Sequence, residues 1–129
     1  MRTYKPKMDK YGITNNMYLE LLYFCRQYDH KRQMAQYERG LSAPAVSGGG
    51  SYHSDPTASR ASRAERFQRD VDLIDKAAIE AAEDLAPFLI LNVTRGKTFR
   101  EMNVPCSHGT FSNKRRKFFH VLAELRGML

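Results

Sequence analysis

Apolar residues recur at steps of three and four along most of this chain, the period of an α-helix buried on one side. Met17, Leu21, Phe24 and Tyr28 form the first stripe, widened by Tyr18, Leu22 and Cys25. With Thr14 and Asn15 as capping residues and Gly40 as a stop, the pattern predicts a helix from about Asn16 to Arg39. The run DHKRQ is polar on all sides, which makes Asp29 the place for a break. Ser54-Asp55-Pro56 is a strong helix start, a cap followed by proline at the first helical position. The helix it opens should reach Ala82, with Phe67, Val71, Ile74, Ala78 and Ala81 inward. Glu83-Asp84 then caps a further helix with Pro87 in its first turn; the alternative is one long helix kinked at Pro87. Leu85, Phe88, Leu89 and Val93 form its core stripe, and Thr94-Arg95-Gly96 ends it. FLILNV is apolar enough for a strand but sits inside this helical pattern.

The last thirty residues read as a compact unit. Thr98 caps a short helix, Phe99–Met102; Asn103-Val104-Pro105 turns the chain; Ser107 caps a final helix to about Arg126. At 100° per residue, Phe111, Phe118, Leu122 and Leu125 share one face of that helix, with Arg115 and Phe119 on its flank. Gly109, Asn113, Arg116, Lys117 and His120 share the opposite face. The expected fold is therefore all-α: a small helical domain with a long central helix and a C-terminal unit like a helix-turn-helix. The expected organisation is a basic flexible arm at 1–13, an N-terminal helical element at 14–39, a Gly/Ser-rich loop at 40–54, and a helical core at 55–129.

Charge sharpens this picture. The chain has 129 residues and a formal net charge of +7. Residues 1–40 hold eight Lys/Arg against four Asp/Glu, giving +4; residues 41–59 give −1; residues 60–92 hold five against seven, giving −2. Residues 93–129 hold eight against two, giving +6. A positive field concentrated at one end favours polyanions, of which nucleic acid is the commonest. The polar face of the last helix is left free for DNA, His120 included; on it Asn113 has the chemistry to read adenine and Arg116 to read guanine, while Lys117 suits phosphate. Lys114, with Thr98 and Arg100 of the short helix, would grip the backbone.

Other chemistry finds little support. His30, His53, His108 and His120 are scattered, and Cys106 with His108 makes two ligands where a metal site needs more. Cys25 and Cys106 are expected to be reduced, packed thiols. Asp70, Asp72 and Asp75 read as a solvated helix face paired to Arg66 and Arg69. The glycines at 48–50 lack the Lys-Ser/Thr of a phosphate loop. Neither catalysis nor a cofactor is expected. The charged start MRTYKPKMDKYG has no apolar segment of a secretory leader, and no apolar run is long enough to span a membrane, so a cytoplasmic protein is expected.

TFREM, a turn, and SHGTF followed by basic residues resemble the helix-turn-helix of sigma-factor region 4. More widely, MYLELLYFCRQY, the SDPT helix start, LIDKAAIEAAEDL and VPC…F…RRKFF resemble small prophage proteins of Firmicutes, described as RinA/ArpU-like transcriptional regulators. The resemblance runs over about Tyr11–Leu125, apart from the glycine-rich loop. It implies a phage regulator that binds double-stranded promoter DNA and controls late or packaging genes, with RNA polymerase or another host protein as a further partner. The DNA-facing positions it implies are His108, Thr110, Asn113, Arg116 and Lys117. An alternative reading is a phage-encoded protein-interaction module that binds and modulates a host or defence protein, using the aromatic first helix with Tyr18, Tyr23, Phe24 and Tyr28. Pairing of that first helix between two chains would give a homodimer suited to a palindromic site.

Overall fold

The computed structural model describes residues 11–40 and 56–129. The described chain is all-helical: α1 (Asn15–Arg26), α2 (Tyr28–Glu38), α3 (Pro56–Ala82), α4 (Ala86–Arg95), α5 (Phe99–Met102) and α6 (His108–Leu125). There is no strand among the described residues. None of these helices is long and apolar enough to cross a membrane. Residues 1–10 of the arm expected at 1–13, most of the Gly/Ser-rich loop, and the Ser54-Asp55 start lie outside the described residues; Ile13, at the end of that arm, is buried.

Local chemistry accounts for most of the boundaries. Thr14 caps α1 by accepting from the Met17 amide at 3.2 Å. The single helix expected from Asn16 to Arg39 is in fact two, divided at Gln27, just ahead of the expected break at Asp29. Gln27 has near-zero ψ and its amide turns back to Phe24 O at 3.2 Å, which ends α1. α3 ends at Ala82, as its apolar period requires. Glu83 and Asp84 do not cap α4 through their side chains. They form a 3₁₀ turn with Leu85, Glu83 stands at φ +52°, and the residue before α4 makes no side-chain cap bond. Pro87 sits in the first turn of α4, where its missing N–H is harmless. Gly96 ends α4 at φ +71°, and a Cβ there would lie 3.2 Å from the Arg26 guanidinium.

Contacts divide the chain into two compact units. The first, in its described part, joins residues 11–27 to 73–129. Its core collects Leu21, Phe24 and Cys25 from α1, Ile74 and Ala78 from α3, Leu89 and Val93 from α4, and Phe118, Phe119 and Leu122 from α6. Arg26 fastens α1 to α4 by donating from Nε to the Val93 carbonyl at 3.1 Å. Arg126, just past α6, stacks over Phe24 at 4.0 Å.

The second unit covers residues 28–72, α2 and most of α3. Lys31 near the start of α2 meets Asp70 at 2.7 Å, while Glu38 at its end meets Arg60 and Arg63 at 3.4 and 3.1 Å. Numbers rising along α2 against numbers falling along α3 make the pair antiparallel. Asp70 is thus held by Lys31 of another helix rather than by Arg66, and Asp72 accepts from Gln68 at 2.9 Å. Few large apolar residues are buried here, so the polar ties carry much of the specificity of pairing. Glu38 is buried, and the hydrogen bond from Arg63 draws its carboxyl below the ordinary glutamate value of 4.5, against the opposing effect of burial; Arg60 adds to the lowering.

A depressed folded-state pKa stabilises the fold fully above the unfolded value and is lost as pH falls through the folded value. Wild type should therefore lose melting temperature between pH 6 and 3 more steeply than Glu38→Gln, which should be the less stable protein at pH 7. Parallel curves for the two proteins, measured by circular dichroism, would remove Glu38 from this role.

Candidate nucleic-acid interface

α6 changes character along its length. Its C-terminal half is enclosed: Phe118, Phe119, Val121, Leu122 and Ala123 are all buried. Its first half keeps only Phe111 buried, while His108, Gly109, Thr110, Asn113 and Lys117 are exposed and Lys114 and Arg116 are half-buried. The helix is therefore anchored by one end and presents the other. Ser107 opens it, accepting from the Thr110 amide at 3.1 Å and donating to the Thr110 hydroxyl at 2.9 Å. No side chain projects from Gly109, and space is open where its Cβ would be, so the first turn can be approached closely.

α5 is a single turn, capped by Thr98, which accepts from the Glu101 amide at 3.2 Å. Asn103 follows at φ +52° and the Cys106 amide bonds Val104 O at 2.8 Å, so the reversal into α6 is tight. Phe99 docks α5 on the start of α6, with ring centroids 5.5 Å from Phe111 and 5.2 Å from His108. Arg100, next to Phe99, is exposed, and so is Lys97 ahead of α5.

The four consecutive basic residues have different roles. Arg115 turns inward: Nε donates to Asn92 Oδ1 at 2.8 Å and Nη2 to the Tyr18 hydroxyl at 3.0 Å, and the guanidinium lies 5.5 and 5.0 Å from the Tyr18 and Phe119 rings. It ties α6 to α4 and α1 and is not available to a ligand. The wheel already put it on the flank of the apolar face. Arg116 donates to Asn113 Oδ1, one turn back on the polar face. Lys114 and Lys117 have no acidic partner among the described residues.

Two of the histidines expected at DNA are otherwise engaged. His120 lies on the polar stripe, but its Nδ1 is 2.9 Å from the Tyr11 carbonyl, its ring packs on Tyr11 at 5.5 Å, and Nε2 is 3.4 Å from Glu124. It holds the start of the described chain against α6. His108 is exposed, yet its ring meets the edge of Phe99, on the side of α6 facing α5. The sequence could not show either packing, because both partners come from other elements. What the structure brings together on one face of α6 is Thr110, Asn113, Arg116 and Lys117, flanked by Lys114. Lys97, exposed just before α5, belongs with the cations and was missed because it lies outside any helix.

Cys25 is buried and Cys106 half-buried, and neither forms a disulfide. Among the described residues no group of three His, Cys, Asp or Glu is arranged to hold a metal ion. Comparison with protein-family models, curated proteins and solved structures gave no match.

Proposed function

We propose that this chain binds double-stranded DNA through the first half of α6 and acts as a transcription regulator. The observation that carries the reading is the asymmetry of α6, buried at its C-terminal half and polar, basic and exposed at its start. Recognition helices of helix-turn-helix proteins present their N-terminal residues to base edges, while a preceding helix crosses the phosphates. Of the eight basic residues in 93–129, Arg115 and Arg126 are used inside the fold, and Lys97, Arg100, Lys114, Arg116 and Lys117 form no ion pair among the described residues. Cations held unpaired on one region supply the counterion release that drives binding to duplex DNA. The regulatory part of the proposal rests on the resemblance of the sequence to phage transcriptional regulators.

Fluorescence anisotropy on a random-sequence duplex over a salt series tests it. Wild type should bind with a steep dependence on salt, and Lys114→Ala/Lys117→Ala should lower the slope by about two, one per lost phosphate contact. An unchanged slope in the folded double variant would sink the assignment to α6.

A second reading has a specific observation behind it. Leu19 and Tyr23 lie one turn apart on α1 and are 37% and 63% exposed. An aromatic and an aliphatic side chain displayed together suit a protein partner. Association with a protein that persists at salt concentrations abolishing DNA binding would favour that reading.

A further inference from the structure

Resting on the DNA-binding reading, we infer that Arg116 is the base-reading residue of α6 and that it reads guanine, with Asn113 as its positioning residue. The polar face of the exposed half of α6 carries both residues, one turn apart, and the guanidinium Nη2 donates to Asn113 Oδ1. An arginine side chain has donors only, so the oxygen of Asn113 is the atom it must engage. That bond favours one of two readings of the same face. Bidentate recognition of adenine needs the asparagine oxygen to accept from N6–H while the amide donates to N7. In Asn113 one of the oxygen's two lone pairs is taken by Arg116, so adenine would have to share that oxygen with the arginine. The guanidinium keeps further N–H donors beyond the one in the brace, and its planar fork matches O6 and N7 of guanine. The bond also restricts a long side chain that would otherwise sample many rotamers, so less freedom remains to be lost on binding. Lys117, one turn beyond Asn113, and Lys114 at the flank stay unpaired among the described residues and serve as phosphate contacts. Arg115 is excluded as a reader because Asn92 and Tyr18 occupy it.

The test is repeated selection of bound duplexes from a randomised library, with sequencing of the retained pool, for full-length wild type, Arg116→Ala, Arg116→Lys and Asn113→Ala. Circular dichroism checks that each variant is folded, and anisotropy at low salt measures general duplex binding in parallel. Wild type should enrich guanine at a defined position by about tenfold or more, the discrimination expected of one bidentate contact. Arg116→Ala should lose enrichment at that position alone. Arg116→Lys, which keeps the charge without the fork, should lose most of it while keeping low-salt affinity. Asn113→Ala should weaken the guanine preference several-fold without creating another. Guanine enrichment that survives Arg116→Ala overturns the inference, as does an adenine position that disappears in Asn113→Ala. Salt-dependent duplex binding with no enriched position overturns the inference and leaves the DNA-binding reading standing. Absence of any duplex binding by folded wild type overturns both.

Discussion

Arg115→Ala is expected to lower the melting temperature by about 10 °C, while Arg116→Ala, one residue along, shifts it by no more than about 2 °C. The guanidinium of Arg115 makes two hydrogen bonds, to Asn92 at 2.8 Å and Tyr18 at 3.0 Å, and lies over two aromatic rings. Hydrogen bonds from a charged donor contribute about 1.5–3 kcal/mol each, and cation–π contacts about 0.5–2 kcal/mol. These are not additive within one network, and part of the side chain reaches solvent, so a net cost of about 2–4 kcal/mol is expected. Truncation also leaves the Tyr18 hydroxyl without this donor in a residue only 8% exposed. Lysine should not rescue, because a single ammonium cannot reproduce the fork that spans α4 and α1. Arg116 bonds only to its helix neighbour Asn113, and surface substitutions of that kind stay within about 0.5 kcal/mol. Equal melting temperatures for the two variants would contradict the inward role of Arg115.

Phe118→Ala should be more damaging still, costing about 3–5 kcal/mol and lowering the melting temperature by about 10–20 °C. Phe118 and Phe119 are adjacent, both 0% exposed, and their rings meet edge to face at 5.1 Å. Consecutive residues on a helix point about 100° apart, so burying both requires neighbours on two sides of α6. One of those neighbours is Tyr18 of α1, whose ring lies 5.0 Å from Phe119. A domain of ordinary stability, about 5–15 kcal/mol, would lose a large share of it. Tyr23→Ala provides the control, since that ring is 63% exposed on α1 and should barely alter the melt. A thermal melt of Phe118→Ala that overlays wild type would mean the end of α6 does not sit in the core. The same enclosed end is what leaves the first half of α6 as the free half, so this variant also probes the scaffold of the proposed DNA face.

The helices were legible because their signals are local. Thr98 and Ser107 cap α5 and α6 as their side chains predict, and α3 stops at Ala82 where the apolar steps stop. Gly96 ends α4 in the left-handed conformation that glycine tolerates. The division at Gln27 was less legible, because the apolar stripe of the sequence runs from Met17 through Phe24 to Tyr28 without a gap, and the turn is made by the backbone at Gln27. The 3₁₀ turn at 83–85 was missed for a similar reason. Glu83 and Asp84 are good caps in the abstract, but here Glu83 takes a positive φ and the reversal needs no side-chain cap.

Partnership was the harder part of the candidate site. Composition put +6 in the last 37 residues, and helical periodicity put Asn113, Arg116 and Lys117 on one side of α6. Both follow from the chain alone, because charge is fixed by residue type and facing by the 3.6-residue turn. The all-helical class and the apolar stripes follow from the same two facts. Which cations remain available did not follow. Arg115 and Arg116 are identical in type and adjacent in sequence, yet one is spent on Tyr18 and Asn92 of other helices and the other bonds Asn113 on its own helix. His120 shares the polar stripe but is taken by Tyr11, a residue 109 positions away. Asp70 is paired with Lys31 across the α2–α3 hairpin and not along its own helix. Periodicity ranks positions by direction only, whereas the fate of a polar side chain depends on which partner another element brings within about 3 Å. The sequence therefore determined the helices and the sign of the surface, and the tertiary structure decided which charges are tied into the fold and which stay unpaired among the described residues.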